Sequence, residues 1–366
     1  MKVAFHVDQL WFRTPGGVGA YVRELSARLT EMPDLEIVPF RSSWPSDRRV
    51  TWTVPMGGVT TGRHTTHYPL WNVLGRPMLP RTLADAAVIH ATNHAAVPPA
   101  RPGQALVVTI HDLAFERFPE AYPPRWRRLY RTGVRAAARR ADAIIVPSRA
   151  TADDVGSRAD VDPAKIFVTP LAAALPEGTE DPGPVLDQLR IPPSFVLFAG
   201  TSEPRKNVGR LLSAFERIAA DVPHTLVLAG APGWGATTTV AVPDRVIRTG
   251  SVSAEQLDAL YRSADAFCFP SLSEGFGIPV LEAMQRGAPV LTSTAPALAE
   301  VADDAALLVD PTDEAAIADA LRRVLTDLAL ADDLRRRGRE RAAAFSWDRT
   351  AELTAEVYRS VAGRAS

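Results

Sequence analysis

Ser273-Glu274-Gly275-Phe276-Gly277-Ile278-Pro279-Val280-Leu281-Glu282 follows a short apolar run, Ala266-Phe267-Cys268-Phe269-Pro270, and opens a helical stretch that ends at Gly287. A strand, a glycine-punctuated turn and a helix start together present backbone N–H groups to an anion. Gly275 and Gly277 let the chain turn sharply and let a phosphate approach the backbone. Pro279 suits the first helical turn, where its missing N–H costs nothing. Glu274 and Glu282 flank this turn. A carboxylate is out of place beside a bare diphosphate, but it suits a ligand that also carries hydroxyl donors, such as a ribose or a hexose.

A second cationic turn lies upstream. Gly200-Thr201-Ser202-Glu203-Pro204-Arg205-Lys206-Asn207 follows a strand at Ser194–Gly200 and precedes a helix at Val208–Ala220. Arg205 can grip a diphosphate with two nitrogens, and Lys206 adds a point charge. The competing reading is a solvated charged turn with Asn207 as a helix N-cap. Placing both turns at one sheet edge favours the diphosphate reading.

The rest of the chain repeats strand and helix, which argues for α/β layers with parallel sheets. Its 366 residues suffice for two domains. Strands are expected at Val3–Val7, Ala105–Ile110 and Ala143–Pro147, then at Thr225–Gly230, Val246–Gly250, Ala266–Pro270 and Pro289–Thr292. Helices are expected at Tyr21–Leu29 and, by apolar spacing, from Trp347 to Arg364. The Gly/Pro/Thr/His-rich stretch Trp44–Pro80 reads as long loops, and the Pro/Gly/Asp-rich stretch Pro176–Pro193 as an interdomain linker. A net charge of −1 gives no field for nucleic acid. The single cysteine, Cys268, lies in an apolar strand and excludes a disulfide framework. No apolar run is long enough to span a bilayer, and Met1–Val7 reads as a first strand rather than a signal peptide. A soluble, cytoplasmic protein is expected.

Five further stretches remain. His111-Asp112 ends one strand, and His90-Ala91-Thr92-Asn93-His94 ends another, so both point to a carboxyl edge where ligands bind. His90 and His94 lack a nearby Glu or Cys, and Asp160-Val161-Asp162 reads as a turn and helix cap, so no metal site is expected. Pro15-Gly16-Gly17-Val18-Gly19 follows the first strand without completing a GxGxxG pattern. Pro123–Arg140 carries Arg125, Arg127, Arg128, Arg131, Arg135, Arg139 and Arg140, with Trp126, Leu129, Tyr130, Val134 and Ala137 on one helical face. It is either an ordinary solvated helix or a docking face for an anionic acceptor or a membrane surface.

The word Glu-Gly-Phe-Gly-Ile-Pro-Val-Leu-Glu-Ala-Met, from Glu274 to Met284, resembles the Glu-x7-Glu signature of retaining glycosyltransferases of family four. Ala299–Pro311 matches a further family stretch, whereas Pro170-Leu171-Ala172-Ala173-Ala174 departs from its usual turn. The resemblance implies a GT-B fold: two Rossmann-like lobes with parallel sheets facing across a cleft, and a C-terminal helix crossing back to lobe one. The expected domains are 1–180 with 347–366 on the acceptor side, and 181–346 for the nucleotide-sugar. By the same resemblance, Glu282 holds the ribose diol and Glu274 sits by the donor sugar. Arg205 and Lys206 bind the pyrophosphate, so no metal or cofactor is required. Gly16, Gly17, Gly200, Gly275, Phe276, Gly277, Ile278, Pro279 and Val280 line the donor, and Asp8–Thr14 forms a loop at the cleft mouth. His111 lies beside the reacting sugar, with Asp112 and His94 on the acceptor side. The implied reaction moves a hexose from a nucleotide diphosphate sugar to an acceptor hydroxyl with retention. His111–Glu120 resembles mannosyl- and rhamnosyltransferase relatives, which makes GDP-mannose the first donor. The acceptor is a sugar, a lipid-linked sugar or a small molecule, with Arg125–Arg140 as a candidate contact at the inner membrane face. A GT-B phosphorylase, an epimerase and a non-catalytic nucleotide-sugar binder are the alternatives.

Overall fold

Short apolar runs such as Ala105-Leu-Val-Val-Thr109 and Phe195-Val-Leu-Phe-Ala199 are buried along their whole length, as strands covered on both faces by helices must be. The computed structural model describes residues 1–12, 15–43, 59–233 and 245–363. It forms two compact units, Met1–Leu171 with Ser346–Ser366, and Ala172–Phe345.

In the first unit the strands are β1 (Lys2–His6), β2 (Glu36–Ser43), β3 (Val59–Arg63), β4 (Val88–Ala91), β5 (Ala105–Thr109), β6 (Ala143–Val146) and β7 (Ile166–Val168). They pair in the order β3-β2-β1-β4-β5-β6-β7, and every pairing is parallel. The second unit holds β8 (Phe195–Ala199), β9 (Thr225–Ala229), β10 (Val246–Gly250), β11 (Ala266–Phe269), β12 (Val290–Ser293) and β13 (Leu307–Val309). Their order is β10-β9-β8-β11-β12-β13, again parallel. Chain order reverses between β1 and β4 in one sheet and between β8 and β11 in the other. Ligands of open α/β sheets bind beyond the carboxyl ends of the strands at such reversals.

Several expectations need correction. Within Trp44–Pro80, residues 44–58 lie outside the described residues, but the remainder is not loop. It contains β3 and the helix His64–Leu74, which buries Tyr68 and Trp71. Pro69 stands inside that helix and disguises its period. β2 carries Pro39 yet pairs with β1 in register. The segment Pro176–Pro193 includes the helix Gly183–Leu189, and Gly16–Glu31 is a longer helix than Tyr21–Leu29. The first unit ends at Leu171 rather than at 180. The physical cause is visible: Arg286 donates to the carbonyls of Leu175 and Pro176 at 2.8 and 2.9 Å, tying this strip to the second unit. Asp8–Trp11 is a short 3-10 turn with Asp8 and Trp11 buried, not an open loop; residues 13 and 14 lie outside the described residues.

The helix Trp347–Ala362 packs within the first unit against the helix Gly16–Glu31 and the sheet. Val357, Tyr358 and Val361 are buried, as their spacing requires. Tyr358 meets His90, whose Nδ1 lies 2.6 Å from its hydroxyl. Cys268 is fully buried, and burial pushes its thiol far up. Asp162 caps a turn by accepting from the Ala164 N–H at 2.9 Å, the role expected of that word.

Candidate active site

In the second unit the turns after β8 and β11 meet, because these two strands are hydrogen-bonded neighbours. Lys206 Nζ donates to Glu274 Oε1 at 2.6 Å, and Arg205 Nη1 donates to Glu274 Oε2 at 2.6 Å. Arg205 also donates to Glu203 Oε2 at 3.0 Å and to the Ser273 carbonyl at 3.2 Å. The two turns that the sequence placed at one sheet edge therefore form a single cluster of two cations and two carboxylates. Lys206 is only 8% exposed and stands 4.7 Å from the Phe269 ring centroid, so this is not a solvated turn. Burial lowers the Lys206 ammonium, helped by Arg205 and opposed by Glu274. Burial alone would raise Glu274, but Arg205 and Lys206 outweigh it and hold the carboxyl at about 2. Asn207 is no side-chain cap. Its backbone is left-handed, and its amide donates to the carbonyls of Pro270 and Pro311 at 3.0 and 2.6 Å, which pins the turn in place.

The turn Ser273–Gly277 is fixed by its own geometry. Gly277 has φ of +123°, and a Cβ there would meet Leu298 Cδ2 at 2.7 Å. Phe276, Ile278 and Val280 are buried, with Phe276 edge-on to Phe345 at 5.7 Å. Their side chains therefore build the core, and the backbone is what they offer a ligand. The Val280 N–H already donates to the Gly277 carbonyl at 2.9 Å. Gly200 closes β8, its N–H donating to the Ala229 carbonyl at 2.8 Å. Glu282, one turn into the helix Ile278–Gln285, is 6% exposed. It accepts from the Tyr261 hydroxyl at 3.3 Å and the Ala174 N–H at 3.4 Å. Burial pushes Glu282 up to about 7 against the pull of Arg286.

In the first unit, His111 follows β5 and lies edge-on to Tyr21 at 4.9 Å. Its Nε2 is 2.9 Å from the Thr92 carbonyl. A carbonyl only accepts, so this nitrogen carries the proton and the neutral ring presents Nδ1 as an acceptor. Burial lowers the His111 pKa and keeps the ring neutral. Asp112 accepts from the Ala114 N–H at 3.0 Å, which orders the following turn. His94 is buried between Phe115 and Tyr130, with no hydrogen-bond partner for either ring nitrogen among the described residues. Burial lowers it to about 4. Gly16 has φ of +59° with open space beside it, and Gly17 is exposed, both at the start of the helix that follows β1.

Residues 15–173 match the family model described as Glycosyltransferase Family 4, and residues 188–341 match Glycosyl transferases group 1. The chain is 31% identical over 265 residues to the O-antigen chain mannosyltransferase B of Escherichia coli, covering 69% of this chain and 70% of that protein. The chain belongs to the family 4 glycosyltransferases. It is also 28% identical to the MMP alpha-(1->4)-mannosyltransferase of Mycolicibacterium hassiacum, over 95% of this chain and 96% of that one. Its fold is GT-B, as in the sucrose-phosphate synthase of Thermosynechococcus elongatus (TM-score 0.74, 23% identity, 100% of both chains).

Three features of this glycosyltransferase escaped the sequence. Glu203 shares Arg205 with Glu274, and its Oε1 accepts from Thr201 at 2.6 Å. Tyr261, from the preceding helix Ala254–Ser263, contacts Glu282. At the end of β1, Asp8 is buried within 3.1 Å of His6 Nε2 and accepts from the Tyr68 hydroxyl at 2.6 Å. Only the pairs two residues apart, Glu203 with Arg205 and His6 with Asp8, carried a local signal. The other contacts depend on tertiary packing.

Proposed function

We propose that this glycosyltransferase moves a hexose, mannose from GDP-mannose in the first instance, to an acceptor hydroxyl with retention at the anomeric carbon. The observation that carries the reading is the Arg205–Lys206–Glu274 cluster at the carboxyl ends of β8 and β11. Two cations held in place by a carboxylate are preorganised for the charge that develops on a leaving diphosphate, and electrostatic preorganisation of this kind is usually the largest contribution to catalysis. Arg205 and Lys206 supply there the charge that a metal supplies elsewhere. The backbone from Gly275 to Ile278 adds N–H donors at a helix start. Glu282 accepts only long hydrogen bonds, from the Tyr261 hydroxyl at 3.3 Å and the Ala174 N–H at 3.4 Å, and its two oxygens suit the donors of a ribose diol.

We assign the front-side route, in which the leaving phosphate takes the acceptor proton. His111, neutral and with Nδ1 as acceptor, positions a sugar hydroxyl. His94 and Asp112 are assigned to the acceptor side, and Gly16, Gly17 and Gly200 to the diphosphate. The mannosyltransferases among the relatives support mannose as the first sugar to test. Thermal melting against a panel of nucleotide-sugars tests the donor. GDP-mannose should raise the melting temperature more than its UDP- and dTDP-linked counterparts. A shift confined to another base or sugar would replace it, and a product of unchanged mass would indicate an epimerase.

A further inference from the structure

The helices Ala254–Ser263 and Ile278–Gln285 of the second unit meet through two rungs. Tyr261 donates to Glu282 Oε2 at 3.3 Å, and Arg286 Nε donates to Asp258 Oδ1 at 2.7 Å. Asp258 and Tyr261 are three residues apart on the first helix. Glu282 and Arg286 are four apart at the end of the second, so each helix brings both of its members to one face. One rung serves the carboxylate assigned above to the ribose. The other is a buried ion pair.

Arg286 has a partner at each of its nitrogens. Besides Asp258, it donates through Nη1 to Gln285 Oε1 at 2.8 Å, and through Nη2 to the carbonyls of Leu175 and Pro176 at 2.8 and 2.9 Å. None of these acceptors is Glu282. Yet a cation four residues after a carboxylate is the arrangement in which the two meet on a helix. Asp258 is held from its other side: a Cβ on Gly178 would meet its Oδ2 at 2.5 Å, and Arg262 Nη1 stands 3.7 Å from the same oxygen. A buried guanidinium left without a counter-charge is costly. Without Asp258, the alternative partner is the carboxylate one helical turn back. Such a pair would occupy the lone pairs that a ribose diol needs, with charge-assisted bonds stronger than a sugar hydroxyl makes.

We propose that Asp258 is a positioning residue that reserves Arg286 for the strip Leu175–Pro176 and thereby keeps the Glu282 carboxylate available to donor hydroxyls. The proposal rests on the assignment of Glu282 to the ribose and names the residues that keep it accessible. The groups facing Glu282 are Tyr261 from the neighbouring helix, Arg286 from its own end, and the backbone of Ala174 and Leu175. Burial raises Glu282 to about 7 against the pull of Arg286, as a carboxylate without a direct ion pair should be raised.

Calorimetry with GDP and UDP at pH 8, on the full chain, tests the proposal. Asp258→Asn should bind the preferred nucleotide about tenfold more weakly than wild type. Asp258→Asn/Arg286→Gln removes the captor as well and should bind more tightly than the single variant, an outcome that a merely structural role does not give. Melting from pH 5 to 9 supplies a second readout. Wild type loses the Glu282 contribution as pH rises through about 7. That loss should vanish in Asp258→Asn, where pairing with Arg286 holds the carboxyl down, and return in the double variant. Equal nucleotide affinity in wild type and Asp258→Asn overturns the proposal, as does a double variant no better than the single one. Glu282→Gln, measured in parallel, separates the two assignments. If it weakens binding while Asp258→Asn does not, only the present proposal fails. If it binds as wild type does, the ribose assignment fails and takes the role of Asp258 in donor binding with it. Where Asp258→Asn alone does not fold, the double variant decides. It should stay within about threefold of wild-type affinity, and a loss as large as that of Glu282→Gln would contradict the proposal.

Discussion

Glu282 is the residue whose environment says most about its ligand. Burial raises its carboxyl from an ordinary value of 4.5 to about 7. The folded state therefore holds the proton more tightly than the unfolded chain does. Its contribution to stability is fully present below the unfolded value and is lost as pH rises through about 7. Melting temperatures of wild type and Glu282→Gln should accordingly diverge between pH 5 and 8, only wild type showing this loss. Ribose hydroxyls donate to the ionised form, so nucleoside affinity should rise across the same window in wild type and stay flat in the variant. Calorimetry with the free nucleoside, which has no titrating phosphate, reads this directly, and the variant should bind more weakly by ~1–2 kcal/mol. Arg205 and Lys206 make a kinetic prediction. Replacing either with Ala should lower turnover by ~10²–10³-fold, the usual effect of removing one transition-state donor. Initial rates of nucleoside diphosphate release measure it, and unchanged rates in both variants would remove the cluster from catalysis.

Elements set those residues in place, and the turn before the helix Ile278–Gln285 is the most constrained of them. Gly277 adopts φ of +123°, and a Cβ there would press on the fully buried Leu298. Gly277→Ala should destabilise the chain by ~1–3 kcal/mol, the scale of a strained backbone residue, and denaturant midpoints measure the loss. This turn was legible in the sequence because its constraints are local: two glycines, a proline at the helix start and an apolar strand before them. The helix His64–Leu74 and the strand β2 were not legible for the converse reason. Pro69 and Pro39 are local breakers, and only packing of Tyr68 and Trp71, or pairing of β2 with β1, overrides them. Asn207 shows the same limit. Its residue type suggests a cap, yet its side chain spans to Pro270 and Pro311, partners distant in sequence.

At the scale of the whole molecule, the last helix returns to the first unit and closes a buried relay. Tyr358, His90, Thr109 and Tyr21 stand within 2.6 to 2.9 Å of their successive partners. Burial first, then the neighbouring His111 and His6, lowers His90 to about 3, so the relay is neutral. Tyr358→Phe leaves His90 Nδ1 without its partner and should lower stability by ~1–3 kcal/mol, read as a lower unfolding midpoint. The alternation of strands and helices, and the period of the final helix, were readable as pattern. The end of the first unit at Leu171 was not, because it depends on which carbonyls Arg286 reaches. Retention is the feature of the proposed hexose transfer that a single measurement decides. Its most direct test is proton NMR of the anomeric centre during turnover of GDP-mannose with a sugar acceptor. The first-formed glycoside should keep the α configuration of the donor as GDP is released in equal amount. An inverted product, or no product from any nucleotide-sugar, would contradict it.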